Sequence, residues 1–219
     1  MNLLFSWSTG KDSALALYDC LKSSSDQVKG LWTTVNGDRE YISFHGVSKA
    51  LLKKQAASIG LPLSITNLPD NCTNKQYEAL IKDVYDSFIE NKVEAIAFAD
   101  LYLEDIRQYR EKQLNASGLE GVFPLWRKST SHTAERFIST GFKAVITTVD
   151  QTKIHPRWIG KEFDQEFLTN LPHDVDPCGE NGEFHTFVFN GPIFHYQVDY
   201  VVKDKVEHGP YITALLTHI

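Results

Sequence analysis

The chain has 219 residues, is 42% hydrophobic and carries a net charge of −6. That length suits one large domain, or one domain with a small appendage, and the apolar share is ample for a core. The acidic balance argues against an obligate nucleic-acid binder, and no apolar run approaches the roughly 20 residues of a membrane span. No basic stretch leading into an apolar run marks a signal peptide. The three cysteines, Cys20, Cys72 and Cys178, are far apart and form no CxxC pair, so neither zinc nor a redox dithiol is indicated and a reducing cytoplasm is expected.

The first element is the apolar run Leu3–Ser6, read as a strand. A small polar loop follows, Ser8-Thr9-Gly10-Lys11-Asp12-Ser13, and then a helical pattern with Ala14, Leu17, Tyr18 and Leu21 on one face. Strand, loop, helix is the geometry of an anion site, because the N–H groups of a helix start are unpaired and point outward. Ser8, Thr9 and Ser13 add hydroxyl donors, Gly10 lets the backbone approach a ligand, Lys11 can neutralise phosphate, and Asp12 can hold magnesium. A Walker A loop does not fit: Phe5 stands where its first Gly belongs, and Asp12 where Ser or Thr should follow the Lys. An ordinary helix start after a strand is the plainer alternative.

Further strands are expected at Gly30–Val35, Leu63–Asn67, Ala95–Phe98, Gly121–Phe123 and Ala144–Val149. Between them lie a helix from about Gly46 to Ile59, one with Tyr77, Leu80, Ile81, Val84 and Phe88 on a stripe and Asn74 as its cap, and one from about Glu104 to Ala116. Repeated β–α units imply a parallel sheet with ligands at the carboxyl ends of its strands. Composition shifts after Asp150. A helix near Lys161–Asn170 comes first, then a Pro/Gly/acid loop, Pro172–Glu183. Strands are expected at Phe184–Phe189, Ile193–Val202 and Lys205–Gly209 or a little beyond, with turns at Asn190-Gly191-Pro192 and Lys203-Asp204.

A second dense stretch is Asp176-Pro177-Cys178-Gly179-Glu180-Asn181-Gly182-Glu183-Phe184-His185-Thr186. It reads either as a solvated acidic loop or as a functional one, anchored by Phe184, Phe187 and Phe189. Glu180 and Glu183 could recognise a cationic or amine group, act as general base, or help hold magnesium. Asp100 ends an apolar strand, as a site residue or a helix cap. Arg107 and Arg110 share a helix face and could bind phosphate or carboxylate or be solvated; Arg127, at another strand end, has the same two readings.

Ser8–Ser13 resembles S-G-G-x-D-S, the pyrophosphate loop (PP-loop) of the ATP pyrophosphatases, with Thr9 for the first Gly. With Glu180-Asn181-Gly182-Glu183-Phe184-His185-Thr186 beside it, the chain resembles the diphthine–ammonia ligase family of the adenine nucleotide alpha hydrolase superfamily. That family carries S-G-G-K-D-S and E-G-G-E-F-x-T; Asn181 departs from Gly. The resemblance spans essentially the whole chain, including Phe98-Ala99-Asp100-Leu101, Arg107-Gln108-Tyr109-Arg110 and Pro124-Leu125-Trp126.

The resemblance implies an α/β, Rossmann-like (HUP-type) parallel sheet with helices on both faces, forming an ATP-binding domain at 1–150, and a smaller C-terminal α+β substrate region at 151–219. It implies that a carboxylate acceptor is adenylated by ATP, with pyrophosphate released, and that ammonia then displaces AMP to leave an amide. Lys11, Asp12, Glu180 and Glu183 would be catalytic, with Mg2+ on Asp12. Ser8 to Ser13, Val35, His45 and Asp100 would bind ATP, with adenine against backbone near Trp32–Val35; His45 reads equally as a cap or core residue. Arg107, Arg110, Arg127, Asn181, Gly182 and Thr186 would face the substrate. Two other readings remain: tRNA modification by the same adenylation chemistry, against which the charge and the absent cysteine pair count, and a non-catalytic nucleotide-binding module. Exposed tail strands could also pair two copies into a homodimer.

Overall fold

A computed structural model describes residues 1–37, 40–42 and 45–219. In chain order its elements are β1 (Asn2–Ser6), α1 (Lys11–Lys22), β2 (Gln27–Asn36), β3 (Tyr41–Ile42), β4 (Val47–Ser48), α2 (Lys49–Ile59), β5 (Leu63–Leu68), α3 (Asn74–Glu90) and β6 (Ala95–Ala97). Then follow α4 (Glu104–Ser117), β7 (Glu120–Val122), α5 (Thr130–Ser139), β8 (Lys143–Asp150), a 3-10 turn at Pro156–Trp158, α6 (Gln165–Thr169), β9 (Phe184–Asn190), β10 (Val201–His208) and β11 (Tyr211–Thr217).

The first sheet is five-stranded and parallel, in the order β5-β2-β1-β6-β7. Side chains alternate across a strand, and β1 shows where they go. Leu3 and Phe5 enter a core with Leu17 of α1, Leu52 of α2 and Phe137 of α5. Leu4 enters a second core with Ile81, Tyr85 and Phe88 of α3 and Leu114 of α4. Helices therefore cover both faces, which is why the central strands β1 and β6 read as continuous apolar runs.

The second sheet is mixed, in the order β3-β4-β11-β8-β9, with β10 on the far side of the hairpin to β11. The expected strand Ala144–Val149 is present as β8, but it sits here, antiparallel to β9 and β11, rather than in the parallel sheet. It is buried almost throughout, and that pattern is the same for a central strand of either sheet. Phe184, Phe187 and Phe163 join the core of Leu3 and Phe5, so the two sheets share one apolar interior.

Several expectations need correction. Residues 193–200 form no strand; Ile193 and Val198 are buried, and the segment is held instead by the end of α2, where His195 N–H donates to the Ser58 carbonyl at 2.8 Å and Tyr196 N–H to Ser58 Oγ at 3.2 Å. Lys203-Asp204 is a bulge inside β10, and the turn comes at Gly209-Pro210, where Gly209 has φ +58°. The helix after Gly46 starts at Lys49, with Ser48 as its cap, and Thr73 rather than Asn74 caps α3, in a reciprocal box with Gln76. The helix near 161–170 is the short α6. Helix α5, capped by Ser129 and burying Thr133, Ala134 and Phe137, is an element that the sequence reading missed.

Candidate active site

β1 ends at Ser6, on the carboxyl side of the parallel sheet, and the loop to α1 crosses the sheet end there. Gly10 is the cap of α1 and no side chain caps the helix, so its first-turn N–H groups are not claimed by a local acceptor. Ser8 Oγ and Ser13 Oγ lie 2.8 Å apart, and Ser8 N–H donates to Ser13 Oγ at 3.3 Å, which folds the loop into a cup. Thr9 has φ +75°, a left-handed conformation that a β-branched residue rarely adopts. This is the position where the pyrophosphate-loop pattern has Gly. The Thr9 side chain is fully buried, and its hydroxyl has no partner among the described residues.

The second motif is bonded directly to this cup. Lys11 N–H donates to Thr186 Oγ1 at 3.1 Å, and Val188 N–H of β9 donates to the Thr9 carbonyl at 3.0 Å. The Lys11 ammonium is buried, 3% exposed. It donates to Asp12 Oδ2 at 2.7 Å and to the Cys178 carbonyl, and it lies over the rings of Phe184 and Phe163 at 5.1 and 5.5 Å. Burial opposes its charge, but Asp12, with Cys178 and Glu180 nearby, outweighs that and holds its pKa above the ordinary value. Lys11 is thus a tether between α1 and the second motif as well as a charge beside the cup.

Two adjoining clefts meet at Ser6, Ser8, His45 and Arg110. One, of about 350 Å³, is lined by the cup, Asp100, Gly179, Glu180, Gly182, His185 and Thr186. The other, of about 330 Å³, runs along Thr33, Thr34, Val35 and Asn36 at the end of β2. Asp100 forms an ion pair with Arg110 at 2.8 Å, and the Arg110 guanidinium lies over Phe98 at 4.3 Å. Glu180 accepts from Leu101 N–H at 2.8 Å, and Tyr102 O–H donates to Asn181 Oδ1 at 3.0 Å, so the second motif is docked on the segment after β6. Burial, with Asp12 and Asp100 nearby, raises the Glu180 carboxyl to about 7 although the Leu101 N–H works against it.

The structure brings Ser8, Gly10, Lys11, Asp12, Ser13, His45, Asp100, Arg110, Glu180, Gly182 and Thr186 to one cleft and Val35 to its neighbour. Glu183 and Asn181 are not among the lining residues. Glu183 is 1% exposed and accepts from Asn181 N–H at 3.1 Å, Asn181 Nδ2 at 3.0 Å and Asp176 N–H at 3.4 Å, so its carboxylate shapes the loop that presents Glu180. Arg107 lies 4.6 Å from both the Phe123 and Trp126 rings and pairs with Glu111 at 2.7 Å, away from the clefts. Arg127 is 77% exposed and its nearest charge is Glu104 at 3.8 Å.

Two residues that the sequence reading did not single out belong here. The His185 ring lies tilted against that of His45, ring centroids 4.8 Å apart, and burial pushes the two imidazoles down to about 3 and about 4, so both are neutral. The signal for His185 was its place inside the second motif. Gln55, fully buried on the apolar side of α2, donates from Nε2 to the Thr9 and Val188 carbonyls. A lone amide on a stripe of Leu51, Leu52, Ala56 and Ile59 was its signal. Among the described residues no group of three or more His, Cys, Asp or Glu side chains comes together as a metal site, and no helix is long and apolar enough to cross a membrane.

Residues 1–121 match the family model of the diphthamide synthase N-terminal domain, and residues 129–212 that of its C-terminal domain. The chain is similar to the diphthine–ammonia ligases of Danio rerio, 22% identical over 92% of this chain and 87% of the relative, and of Mus musculus, 21% identical over 92% and 84%. It is 29% identical to that of Schizosaccharomyces pombe over 42% of this chain and 16% of that protein. The matched stretch covers about half, 52%, of the Bos taurus relative.

Proposed function

The chain belongs to the diphthamide synthase family, and from that premise we propose that it is an ATP-dependent carboxylate–ammonia ligase of the diphthine–ammonia ligase type. The acceptor carboxylate oxygen attacks the α-phosphorus of ATP, the bond to the bridging oxygen breaks, and pyrophosphate leaves. Ammonia then attacks the acyl carbon, its nitrogen loses a proton, and the bond to AMP breaks to leave an amide. The observation that carries this reading is the wiring of the second motif into the cup: Thr186 and Val188 hold Lys11 and Thr9, so the anion loop and the Glu180 loop form one wall.

In this reading the cup takes the β- and γ-phosphates, and its fixed donors stabilise the departing pyrophosphate. Thr33 to Asn36 receive the nucleoside. Glu180, whose carboxyl burial raises to about 7, takes the proton that ammonium must give up. Glu183 and Asn181 hold that loop in shape, and Arg110 is placed by Asp100 where the two clefts meet. The donor set fits magnesium: the Asp12 carboxylate lines the cleft, and this ion is normally held by one or two carboxylates together with phosphate oxygens. Bound there it would screen the charge leaving with pyrophosphate.

Product analysis tests the proposal. With ATP, magnesium, ammonium and candidate carboxylates, the products should be AMP and pyrophosphate in equal amounts. Asp12→Asn, which keeps an acceptor for the buried Lys11 ammonium, should end pyrophosphate release. ADP with phosphate would overturn the mechanism, and binding of ATP without turnover on any carboxylate would favour a nucleotide-binding module.

A further inference from the structure

The Thr9 backbone is in a conformation that costs free energy, and such conformations persist only where their surroundings hold them. What holds this one is visible. The Thr9 carbonyl accepts from Val188 N–H at 3.0 Å and from Gln55 Nε2 at 3.2 Å. The same Nε2 donates to the Val188 carbonyl at 2.6 Å, and Gln55 Oε1 accepts from the Trp7 indole N–H at 3.0 Å. These partners determine the amide's orientation. An indole N–H requires the oxygen, and two carbonyls require the two N–H donors. Both N–H donors are therefore used, and the amide is fully buried and held in one orientation.

We propose that Gln55 is a positioning residue of the pyrophosphate loop: by gripping the Thr9 carbonyl from behind, it keeps the Gly10 N–H turned into the cleft. The argument rests on the anion-loop reading given under Proposed function. The peptide bond is planar, and among the described residues none is cis. Holding the Thr9 carbonyl toward α2 and β9 thus aims the Gly10 N–H the opposite way, toward the Ser8 hydroxyl and the cleft, where it donates to Ser8 Oγ at 3.4 Å. Gln55 touches no reacting atom. It acts through the peptide, and it makes the donor array of the loop depend on the packing of α2 and β9.

Gln55→Met keeps the volume and removes the grip. Titrated with magnesium pyrophosphate by calorimetry, the full-length variant should bind about tenfold more weakly than wild type, roughly the worth of one aimed hydrogen bond. Ile81→Ala in the second core, away from α2 and β9, should lower the melting temperature and leave that affinity unchanged, which separates positioning from general destabilisation. Wild-type affinity in a folded Gln55→Met protein would overturn the proposal and leave the nucleotide reading intact. A wild-type protein that binds neither magnesium ATP nor magnesium pyrophosphate would overturn both. Should Gln55→Met not fold, Trp7→Phe releases the amide oxygen while keeping a ring in place. A loss of about threefold supports the grip; unchanged affinity overturns it.

Discussion

Thr9 shows how one residue departs from a pattern at a measurable cost. An L-residue in the left-handed region costs about 1–2 kcal/mol relative to Gly, and Thr9 is held there with its hydroxyl unpartnered. Thr9→Ala and Thr9→Gly both remove the γ atoms and differ by one methyl group, so their difference reports mainly the left-handed backbone. Thr9→Gly should be the more stable by about 1 kcal/mol in urea melts; equal midpoints would remove the strain claim. The sequence showed that Thr9 replaces a Gly, but a φ angle has no letter of its own, so the strain itself was not legible. Glu180 makes a second residue-scale prediction. Its carboxyl must be ionised to accept a proton, and burial has moved that ionisation to about 7. Acceptor-dependent turnover should therefore rise with pH through about 7. In Glu180→Gln the residual rate should be at least about tenfold lower and should lack that inflection.

Element by element, legibility followed the strength of the local signal. Strands β1 and β6 of the parallel sheet were readable because each is a short apolar run, and α3 because its stripe is long and regular. The second sheet was much less so. β3 and β4 have two residues each and exist only through their partners, and β10 is exposed along nearly its whole length, so no face marks it. The residues of the cup were readable because their chemistry is local. Gln55 and His185 depend on contacts made far along the chain, such as that of Val188 with Thr9, and Glu183 is turned from the cleft by the fold of its own loop, which bonds it to Asn181 and Asp176. Gly46 carries a comparable long-range constraint. Its φ is +63°, its carbonyl accepts from Leu216 N–H at 2.7 Å, and a Cβ there would lie 2.2 Å from the Ala214 carbonyl oxygen. Gly46→Ala should therefore force β4 off β11 and cost about 2–3 kcal/mol of stability in denaturant unfolding. A loss below about 0.5 kcal/mol would mean that the β4–β11 pairing is not fixed at this point.

For the molecule as a whole, the site imposes a pH dependence on folding, because groups from separate segments titrate against one another at the seam between the sheets. His45 and His185 are neutral when folded, pushed by burial to about 4 and about 3 from an ordinary 6.5. Below 6.5 the unfolded chain binds protons that the folded one refuses, so stability falls as pH drops through the window between 6.5 and about 4. From pH 7.5 to 5 each imidazole takes away about 2 kcal/mol. Glu180 works the other way. Raised to about 7 from 4.5, it binds its proton more readily when folded, which adds about 2 kcal/mol over the same interval. The sum is a net acid loss of about 2 kcal/mol, a small difference between opposing terms. Variants separate them. His185→Leu should flatten the acid limb of urea midpoints, and Glu180→Gln should steepen it by about 2 kcal/mol. The two slopes must move in opposite directions, and a common direction would show that the imidazole pair and the Glu180 carboxyl are not the groups that couple protons to the fold.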